Sequence, residues 1–175
     1  MVAQRVQAIT GVSPGVENEI QTIYPSISSW GMGKVLGQLY DSIPIKIGGI
    51  KISYLLFPLP THPLPLFLYL LMKVIGQRYM LTNRAVQIWK SLGNQMESQV
   101  LLNDIAEIVT VEQPGQAFYH AADLQFYDSA GKKIFTLEGI ARPEGFRQSI
   151  LKARDARKQV AASLELIKGR QTIKA

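Results

Sequence analysis

The feature that most limits how this chain can fold is an apolar stretch broken by prolines, IKISYLLFPLPTHPLPLFLYLLMKVIG, at residues 50–76. Its prolines occupy positions 58, 60, 63 and 65. Proline removes a backbone donor and disfavours helix in the residue before it. The run from Leu64 to Ile75 would form a helix about 18 Å long, against a hydrocarbon core of roughly 30 Å. A single straight transmembrane helix is therefore not expected.

The stretch instead suggests two short apolar arms, Ile52–Leu59 and Leu64–Ile75, joined by the sequence PTHP. Basic residues flank the outer ends of the arms, at Lys46, Lys51, Lys73 and Arg78. Because basic residues favour the cytoplasmic side of a membrane, the pattern predicts a hairpin that enters and leaves on that side. Two alternatives stay open, namely a hairpin buried in the core of a soluble protein and a pair of full spans.

The residues predicted to contact the membrane are apolar and aromatic members of both arms, namely Tyr54, Leu55, Leu56, Phe57, Leu66, Phe67, Leu68, Tyr69, Leu70 and Leu71. The run LPLFLYLLM has no polar face at any period, whereas amphipathic elements of soluble proteins have one. Just before the arms, IPIKIGGIKIS alternates around a Gly-Gly pair. That alternation predicts a small β-hairpin with a two-residue turn.

The N-terminal region predicts one short helix. Ser26 or Ser28 is expected to cap a helix that ends near Asp41. Gly33 and Gly37 form a small-xxx-small pair, which favours close packing on another helix. The first residues, MVAQRVQAITGVSPGVENEI, lack the apolar core of a secretory signal, so the chain is expected to begin on the cytoplasmic side.

The positive charge is concentrated near the C-terminus. Residues 1–141 contain ten Lys/Arg and ten Asp/Glu, whereas residues 142–175 contain nine and three, which accounts for the net charge of +6. Apolar residues recur there at helical spacing, and the opposite face of the predicted helix carries Arg147, Lys152, Arg154, Arg157 and Lys158. This face is either an ordinary solvated surface or a patch for anionic lipid or an acidic protein surface, where each basic group contributes about 1 kcal/mol near an anionic membrane. Nucleic acid is not the favoured partner, because few aromatic residues accompany the charge.

Residues 78–141 alternate between strand-forming segments and turns. The predicted turns lie at Thr82–Asn83, Gly93-Asn94, Pro114-Gly115 and DSAGKK, residues 128–133. Four to seven short antiparallel strands are followed by a helix with Pro143 in its first turn. The pattern predicts an α+β fold in which the C-terminal helix closes one open end of a bent antiparallel sheet.

A catalytic site is not expected. The chain has no cysteine and two histidines, His62 and His120. No zinc-protease, serine-hydrolase, phosphate-loop or dinucleotide pattern is present. His120 is predicted to lie in a strand with Asp123 on the opposite face, which does not favour a catalytic pair. The sequence therefore predicts a non-enzymatic protein with no metal, no cofactor and no small-molecule substrate.

The segments YMLTNRAVQI, VLLNDIAEI, ADLQFYD and FTLEGIARPEGFRQSILKA resemble the bacterial pleckstrin-homology (PH) domain family over roughly residues 15–155. Pro25-Ser26 corresponds to an upstream Pro-Ser of that family. Two departures are the prolines in the hydrophobic region, where such proteins often have clean spans, and Ala85 in place of a second Arg after Thr-Asn. The resemblance implies a PH-like antiparallel β-roll capped by a C-terminal α-helix, here preceded by a hydrophobic, proline-broken membrane hairpin.

The resemblance further implies a scaffolding or binding module. The layout is similar to cyanobacterial membrane-associated proteins that help to build or stabilise photosynthetic complexes, which implies membrane lipid and a membrane protein complex as partners, on the cytoplasmic side of a membrane such as the thylakoid. The alternative function is binding of anionic lipid headgroups by the basic helix. The expected division is an N-terminal segment at residues 1–42, the hairpin at 43–77, the PH-like domain at 78–170 and a tail at 171–175.

Overall fold

Two antiparallel sheets and a C-terminal helix form the framework in the computed structural model, which describes residues 17–43, 46–47, 50–51 and 63–173. In chain order the strands are β1 (Glu19–Ile23), β2 (Lys46–Ile47), β3 (Ile50–Lys51), β4 (Gln77–Thr82), β5 (Ala85–Lys90), β6 (Gln95–Leu101), β7 (Glu107–Val111), β8 (Ala121–Tyr127) and β9 (Lys133–Ala141). The first sheet has the strand order β1-β4-β5-β6, the second has the order β7-β8-β9, and β2 and β3 form a separate ribbon.

The helices are α1 (Gly31–Asp41), α2 (Pro63–Ile75) and α3 (Pro143–Ile173), with short 3-10 turns at Ile27–Ser29, Leu102–Asp104 and Ala117–Tyr119. α3 begins at Pro143, where a missing backbone N–H costs nothing, and Glu144 in its first turn suits the helix dipole. The predicted α+β fold with antiparallel strands and a C-terminal helix is therefore confirmed at this level.

The predicted turns between the strands of the first sheet are also confirmed. The side-chain hydroxyl of Thr82 accepts hydrogen bonds from the backbone N–H groups of Arg84 (3.2 Å) and Ala85 (2.9 Å), which closes the β4–β5 turn. Gly93 and Asn94 both adopt positive φ between β5 and β6. In the ribbon, Lys46 pairs with Lys51, so the strand pairing of the predicted hairpin is confirmed.

β1 was not predicted from the sequence. It pairs antiparallel with β4, with Thr22 opposite Met80 and Ile23 opposite Tyr79. Residues 24–76 are therefore an insertion between two neighbouring strands of one sheet. The insertion leaves the sheet where β1 ends and returns where β4 begins, so both connections lie at the same end of the first sheet, which we call the insertion end.

The start of the predicted N-terminal helix is wrong. Ser26 caps the 3-10 turn, with its Oγ accepting from the backbone N–H of Ser28 at 3.1 Å, and α1 begins later, at Gly31. The backbone N–H of Ser26 donates to the carbonyl of Gly139 at 2.8 Å, which ties this segment to β9 before the helix starts. The predicted end of the helix near Asp41 is confirmed.

The core lies between the two sheets and is covered by the first half of α3. Its members from the sheets and their connections are Tyr79, Leu81, Val86, Ile88, Val100, Leu102, Ile105, Ile108, Leu124, Phe126, Leu137 and Ile140. α3 adds Phe146 and Ile150, which are four residues apart and so share one face. Full burial of a side chain such as Ile150 stabilises the fold by roughly 1.5–3 kcal/mol.

The predicted membrane arms are described in part. The first arm, Ile52–Leu59, lies outside the described residues. The whole of the second arm, Leu64–Ile75, belongs to α2, whose 13 residues span about 20 Å. Pro63 and Pro65 both lie in its first turn, where proline is tolerated. Among the helices in the described part of the chain, none is long and apolar enough to cross a membrane.

Candidate functional site

α1 turns an apolar stripe away from the protein. Met32, Val35 and Leu39 recur at intervals of three and four residues, so they share one face of the helix. Each is between 59 and 63% exposed. Gly33, Gly37 and Tyr40 on the other face are buried. An exposed apolar stripe of this kind is typical of a surface that binds a partner or a membrane.

The buried face of α1 is held by backbone contacts with the rest of the domain. A Cβ atom placed on Gly33 would lie 1.8 Å from the carbonyl oxygen of Ile27, and one placed on Gly37 would lie 2.0 Å from that of Gly115. The predicted packing of these glycines on another helix is therefore wrong, because they pack on the chain's own turns. Tyr40 also stacks on Phe118, with ring centroids 5.6 Å apart. These contacts fix the direction in which the apolar stripe points.

α2 exposes a second apolar stripe, Phe67, Leu70 and Val74, at the same helical spacing. Both α1 and α2 contact the Ile27–Ser29 turn. The Nζ atom of Lys73 lies 5.6 Å from the centre of the Tyr24 ring, which links α2 to the segment after β1. We call the exposed set Tyr24, Trp30, Met32, Val35, Leu39, Phe67, Leu70 and Val74 the apolar surface.

The residues predicted to contact the membrane fall partly on this surface. Phe67, Tyr69 and Leu70 are exposed, and Leu71 is half-buried. The side chains of Leu66 and Leu68, and the whole of residues 54–57, lie outside what the structure describes. Trp30 and Tyr24 are of the residue types that favour the interface between lipid and water.

The α1 stripe was missed because the sequence analysis weighed only the glycines of this helix. The signal was nevertheless present in GMGKVLGQLYD, where Met32, Val35 and Leu39 alternate with Gly33 and Gly37 around the helix. A helix with one apolar and one small-residue face can bury either face. Here the backbone of Ile27 and of Gly115 packs against the glycine face, so that face is buried. The local sequence of the helix does not reveal this contact.

The arginines of the predicted basic face bind backbone carbonyls of the sheets. Arg147 Nε donates to the carbonyl of Ile108 at 3.0 Å, and Arg154 Nη1 donates to that of Ala106 at 2.9 Å. Arg157 Nη1 donates to the carbonyl of Asn83 at 3.1 Å. Charge-assisted bonds of this kind are about twice as strong as neutral ones, so these side chains anchor α3 to the two sheets and their connections.

The two lysines of the basic face differ in their surroundings. Lys152 is exposed, whereas Lys158 lines an open groove of about 760 Å³ together with Asp104 and Asp128. Arg157 reaches the β4–β5 turn, at the opposite end of the first sheet from the insertion end. Arg157 therefore lies away from the insertion end.

The predicted strand position of His120 is wrong. His120 follows the Ala117–Tyr119 turn with a φ of 49°, and β8 begins one residue later. Asp123 is buried in β8, where its Oδ1 accepts from Gln116 Nε2 at 2.6 Å and from the Gly139 backbone N–H at 2.8 Å. These bonds hold together the turns on which α1 packs. No group of three or more His, Asp or Glu that could bind a metal occurs among the described residues.

Tyr79 joins the two sheets beneath the apolar surface. Its hydroxyl donates to the backbone carbonyl of Glu138 at 3.0 Å and accepts from the backbone N–H of that residue at 3.2 Å. Burial raises the pKa of Tyr79 well above its usual value. Burial also raises the pKa of Tyr119, which lies against Gly37, to about 12. The folded protein therefore favours the neutral form of both phenols.

Comparisons with protein families, with curated proteins and with solved structures find no match to this chain. The described residues form an α+β protein with two antiparallel sheets and a C-terminal helix. An exposed apolar surface lies on the insertion between β1 and β4. The PH-like assignment stays a prediction.

Proposed function

We propose that this protein is a non-enzymatic, membrane-associated accessory factor. Its roll is held on the cytoplasmic face of a membrane, such as the thylakoid, by the apolar surface and residues 43–77. There it binds and stabilises a membrane protein complex, for example a photosynthetic one. The observation that carries the proposal is the outward apolar stripe of α1, whose direction is fixed by buried backbone contacts at Gly33 and Gly37.

Transfer of the exposed side chains out of water supplies the binding energy. Removing one such side chain from water contributes roughly 1.5–3 kcal/mol when its burial is complete. The stripes of α1 and α2 together present Met32, Val35, Leu39, Phe67, Leu70 and Val74. Immersion of these residues acts against the entropy cost of holding a domain at a surface, which is about 4–15 kcal/mol.

The connections of the insertion support the predicted hairpin. α1 is packed on the roll through Gly33 and Gly37, and α2 leads through Gly76 directly into β4. The segment between α1 and β4 therefore departs from a folded domain and returns to that same domain. Since one folded domain lies on one side of a bilayer, both ends of the segment lie there too.

The strand arrangement supports the PH-like assignment. Four strands form the first sheet, three form the second, and α3 covers the core between them. A PH-like fold would suit a protein that binds partners on its surface. A function transferred from a fold alone is an analogy, so the membrane partner has to be found by experiment.

Binding of anionic lipid headgroups by Arg147, Lys152, Arg154, Arg157 and Lys158 is the second candidate function, and the net charge of +6 favours it. The contacts of the arginines with carbonyls of Ile108, Ala106 and Asn83 leave Lys152 and Lys158 as the more accessible charges. The first candidate is therefore preferred.

Vesicle flotation of the full chain tests the proposal. The variant with Met32→Ser, Val35→Ser and Leu39→Ser together is compared with Leu101→Ser, because Leu101 is 47% exposed and lies at the far end of β6, opposite Ala85. We expect the wild type and Leu101→Ser to float at low and high salt, and the triple variant to remain unbound while keeping its circular dichroism. Flotation of the triple variant at the wild-type level, or flotation of the wild type that high salt abolishes, would contradict the proposal.

A pull-down from detergent-solubilised membranes, with the full chain as bait, tests the partner. We expect recovery of a membrane protein complex by the wild type and by Leu101→Ser. Recovery of lipid without any membrane protein would contradict the accessory role and leave only the membrane association.

A further inference from the structure

A small pocket with both polar and apolar lining residues opens at the insertion end, beside the apolar surface. It lies between the Ile27–Ser29 turn, the end of α2, β4 and β9, and its volume is about 340 Å³. Pockets of this size hold small polar groups and fragments of larger ligands. Trp30 belongs to both the pocket and the apolar surface, so the two adjoin each other.

Two opposite charges line the pocket without neutralising each other. Lys90 comes from the end of β5 and Glu138 from β9, and both side chains are exposed. Within the described ranges, neither side chain takes part in a salt bridge, and those that occur there join Arg147 to Glu144 and Arg154 to Asp155. Such a pocket matches a ligand whose anionic group can pair with Lys90 and whose cationic group can pair with Glu138.

A buried hydroxyl in the same pocket has no partner. The Oγ atom of Ser29 is buried and makes no hydrogen bond to any described residue. Other polar groups of the lining are already used, since the Tyr79 hydroxyl binds the backbone of Glu138 and Gln77 Nε2 donates to Glu97 Oε2 at 2.7 Å. An unsatisfied buried hydroxyl costs roughly 1–3 kcal/mol. The Oγ atom of Ser29 is closed off from solvent, so a ligand oxygen would recover this cost only after the side chain rotates towards the pocket.

We propose that this pocket binds the phosphoethanolamine headgroup of a membrane phospholipid. Lys90 binds the phosphate, Glu138 binds the primary ammonium group, and the Trp30 ring covers the two carbons between them; rotation of the Ser29 side chain would add a hydrogen bond to the phosphate. The inference rests on the proposed function, because the apolar surface delivers the pocket to the headgroups.

The chemistry of the lining distinguishes between headgroups. A carboxylate forms charge-assisted hydrogen bonds with the N–H groups of a primary ammonium, whereas choline has no N–H to donate. A serine headgroup would place a second carboxylate beside Glu138, and like charges at such short range repel each other. A glycerol headgroup lacks the cation that Glu138 needs.

Vesicle binding measures the preference directly. The full chain is titrated with vesicles of phosphatidylcholine alone and of an equal mixture with phosphatidylethanolamine. We expect about tenfold tighter binding to the mixture, which corresponds to about 1.4 kcal/mol. Glu138→Gln should abolish this preference, because Glu138 binds the ammonium N–H groups that choline lacks. Lys90→Gln should weaken binding to both kinds of vesicle, because both lipids carry the phosphate. The matched controls Lys133→Gln and Glu107→Gln lie at the other end of the second sheet and should retain the preference.

Free phosphoethanolamine tests binding to the pocket in the absence of a membrane. The chain has two tryptophans, so Trp89→Phe leaves Trp30 as the only fluorescent indole. We expect saturable quenching or a shift of Trp30 emission on addition of phosphoethanolamine, and no response in Lys90→Gln.

Each outcome distinguishes a failure of the headgroup proposal from a failure of the proposed function. Equal binding of the wild type to both vesicles, with no response of Trp30 to free phosphoethanolamine, overturns the inference and leaves the membrane association intact. Equal loss of binding to phosphatidylcholine vesicles in Lys90→Gln and Lys133→Gln also overturns it, because the effect is then one of general charge. A saturable response to free phosphoethanolamine without binding to any vesicle supports the pocket and contradicts the proposed function.

Discussion

α1 and α3 pack on the same roll but bury opposite kinds of residue. α3 buries Phe146 and Ile150 in the core and exposes charged side chains, as a helix of a water-soluble domain does. α1 buries Gly33 and Gly37 and exposes an apolar stripe. Phe146 and Ile150 of α3 are therefore buried within the chain, whereas Met32, Val35 and Leu39 of α1 stay exposed.

The same alanine substitution on the two helices tests this contrast with the largest expected effect. Ile150→Ala should lower the free energy of unfolding by about 2–5 kcal/mol, because it leaves a cavity in the core. Val35→Ala should change it by less than about 0.5 kcal/mol, because the side chain is exposed. Urea unfolding of both variants in buffer without lipid measures the difference. A loss at Val35 as large as that at Ile150 would mean that the α1 stripe is buried within the protein.

The glycine face of α1 gives the next largest effect. Gly37→Ala places a methyl group against the Gly115 carbonyl and should cost about 1–3 kcal/mol of stability. Gly31→Ala on the same helix meets no atom within 4 Å and should cost nothing. Thermal unfolding of the pair reports the difference. Equal stability of the two variants would show that α1 does not pack closely on the 114–116 turn.

Substitutions on α3 test whether its basic residues anchor the helix to the protein or bind lipid. Arg154→Met removes the bond to the Ala106 carbonyl and should cost about 1–2 kcal/mol, whereas Lys152→Met should be nearly neutral. Vesicle binding of both variants should equal that of the wild type. Reduced vesicle binding in both variants, with unchanged stability, would favour the basic helix as the lipid-binding element.

The smallest effect concerns Tyr79 and alkaline pH. At neutral pH, Tyr79→Phe should cost about 1 kcal/mol through the lost bonds to Glu138. The phenol ionises near pH 10 in the unfolded chain, and its folded pKa is higher, so its contribution is complete below pH 10 and declines as pH rises towards the folded value. The stability gap between wild type and Tyr79→Phe should therefore narrow above pH 10.

Urea unfolding at several pH values between neutral and strongly alkaline measures that gap. Tyr119 is present in both proteins, so its own raised pKa cancels from the difference. A gap that stays constant throughout this range would show that the Tyr79 hydroxyl is not buried in its neutral form.

The second half of the fold could be predicted well from local sequence. The turns at Asn83, Gly93 and Asn94 and the start of α3 at Pro143 all depend on residues within a few positions of each other. Turn chemistry and helix capping act over that range, so short patterns carry the information.

The first half depended on distant contacts and could not be predicted in the same way. β1 is a strand because it pairs with β4, which lies more than fifty residues further along the chain. The outward direction of the α1 stripe likewise depends on Gly115. In each case the partner lies outside the segment whose conformation it determines.

The most direct test of the central claim is the depth of α1 in a bilayer. The chain contains no cysteine, so Val35→Cys and Leu101→Cys each allow a single spin label. On addition of vesicles, the label at position 35 should gain exposure to oxygen and lose exposure to a water-soluble nickel reagent, while the label at position 101 should stay in water. A label at position 35 that remains accessible to the nickel reagent, in a protein that is bound to the vesicles, would contradict the account.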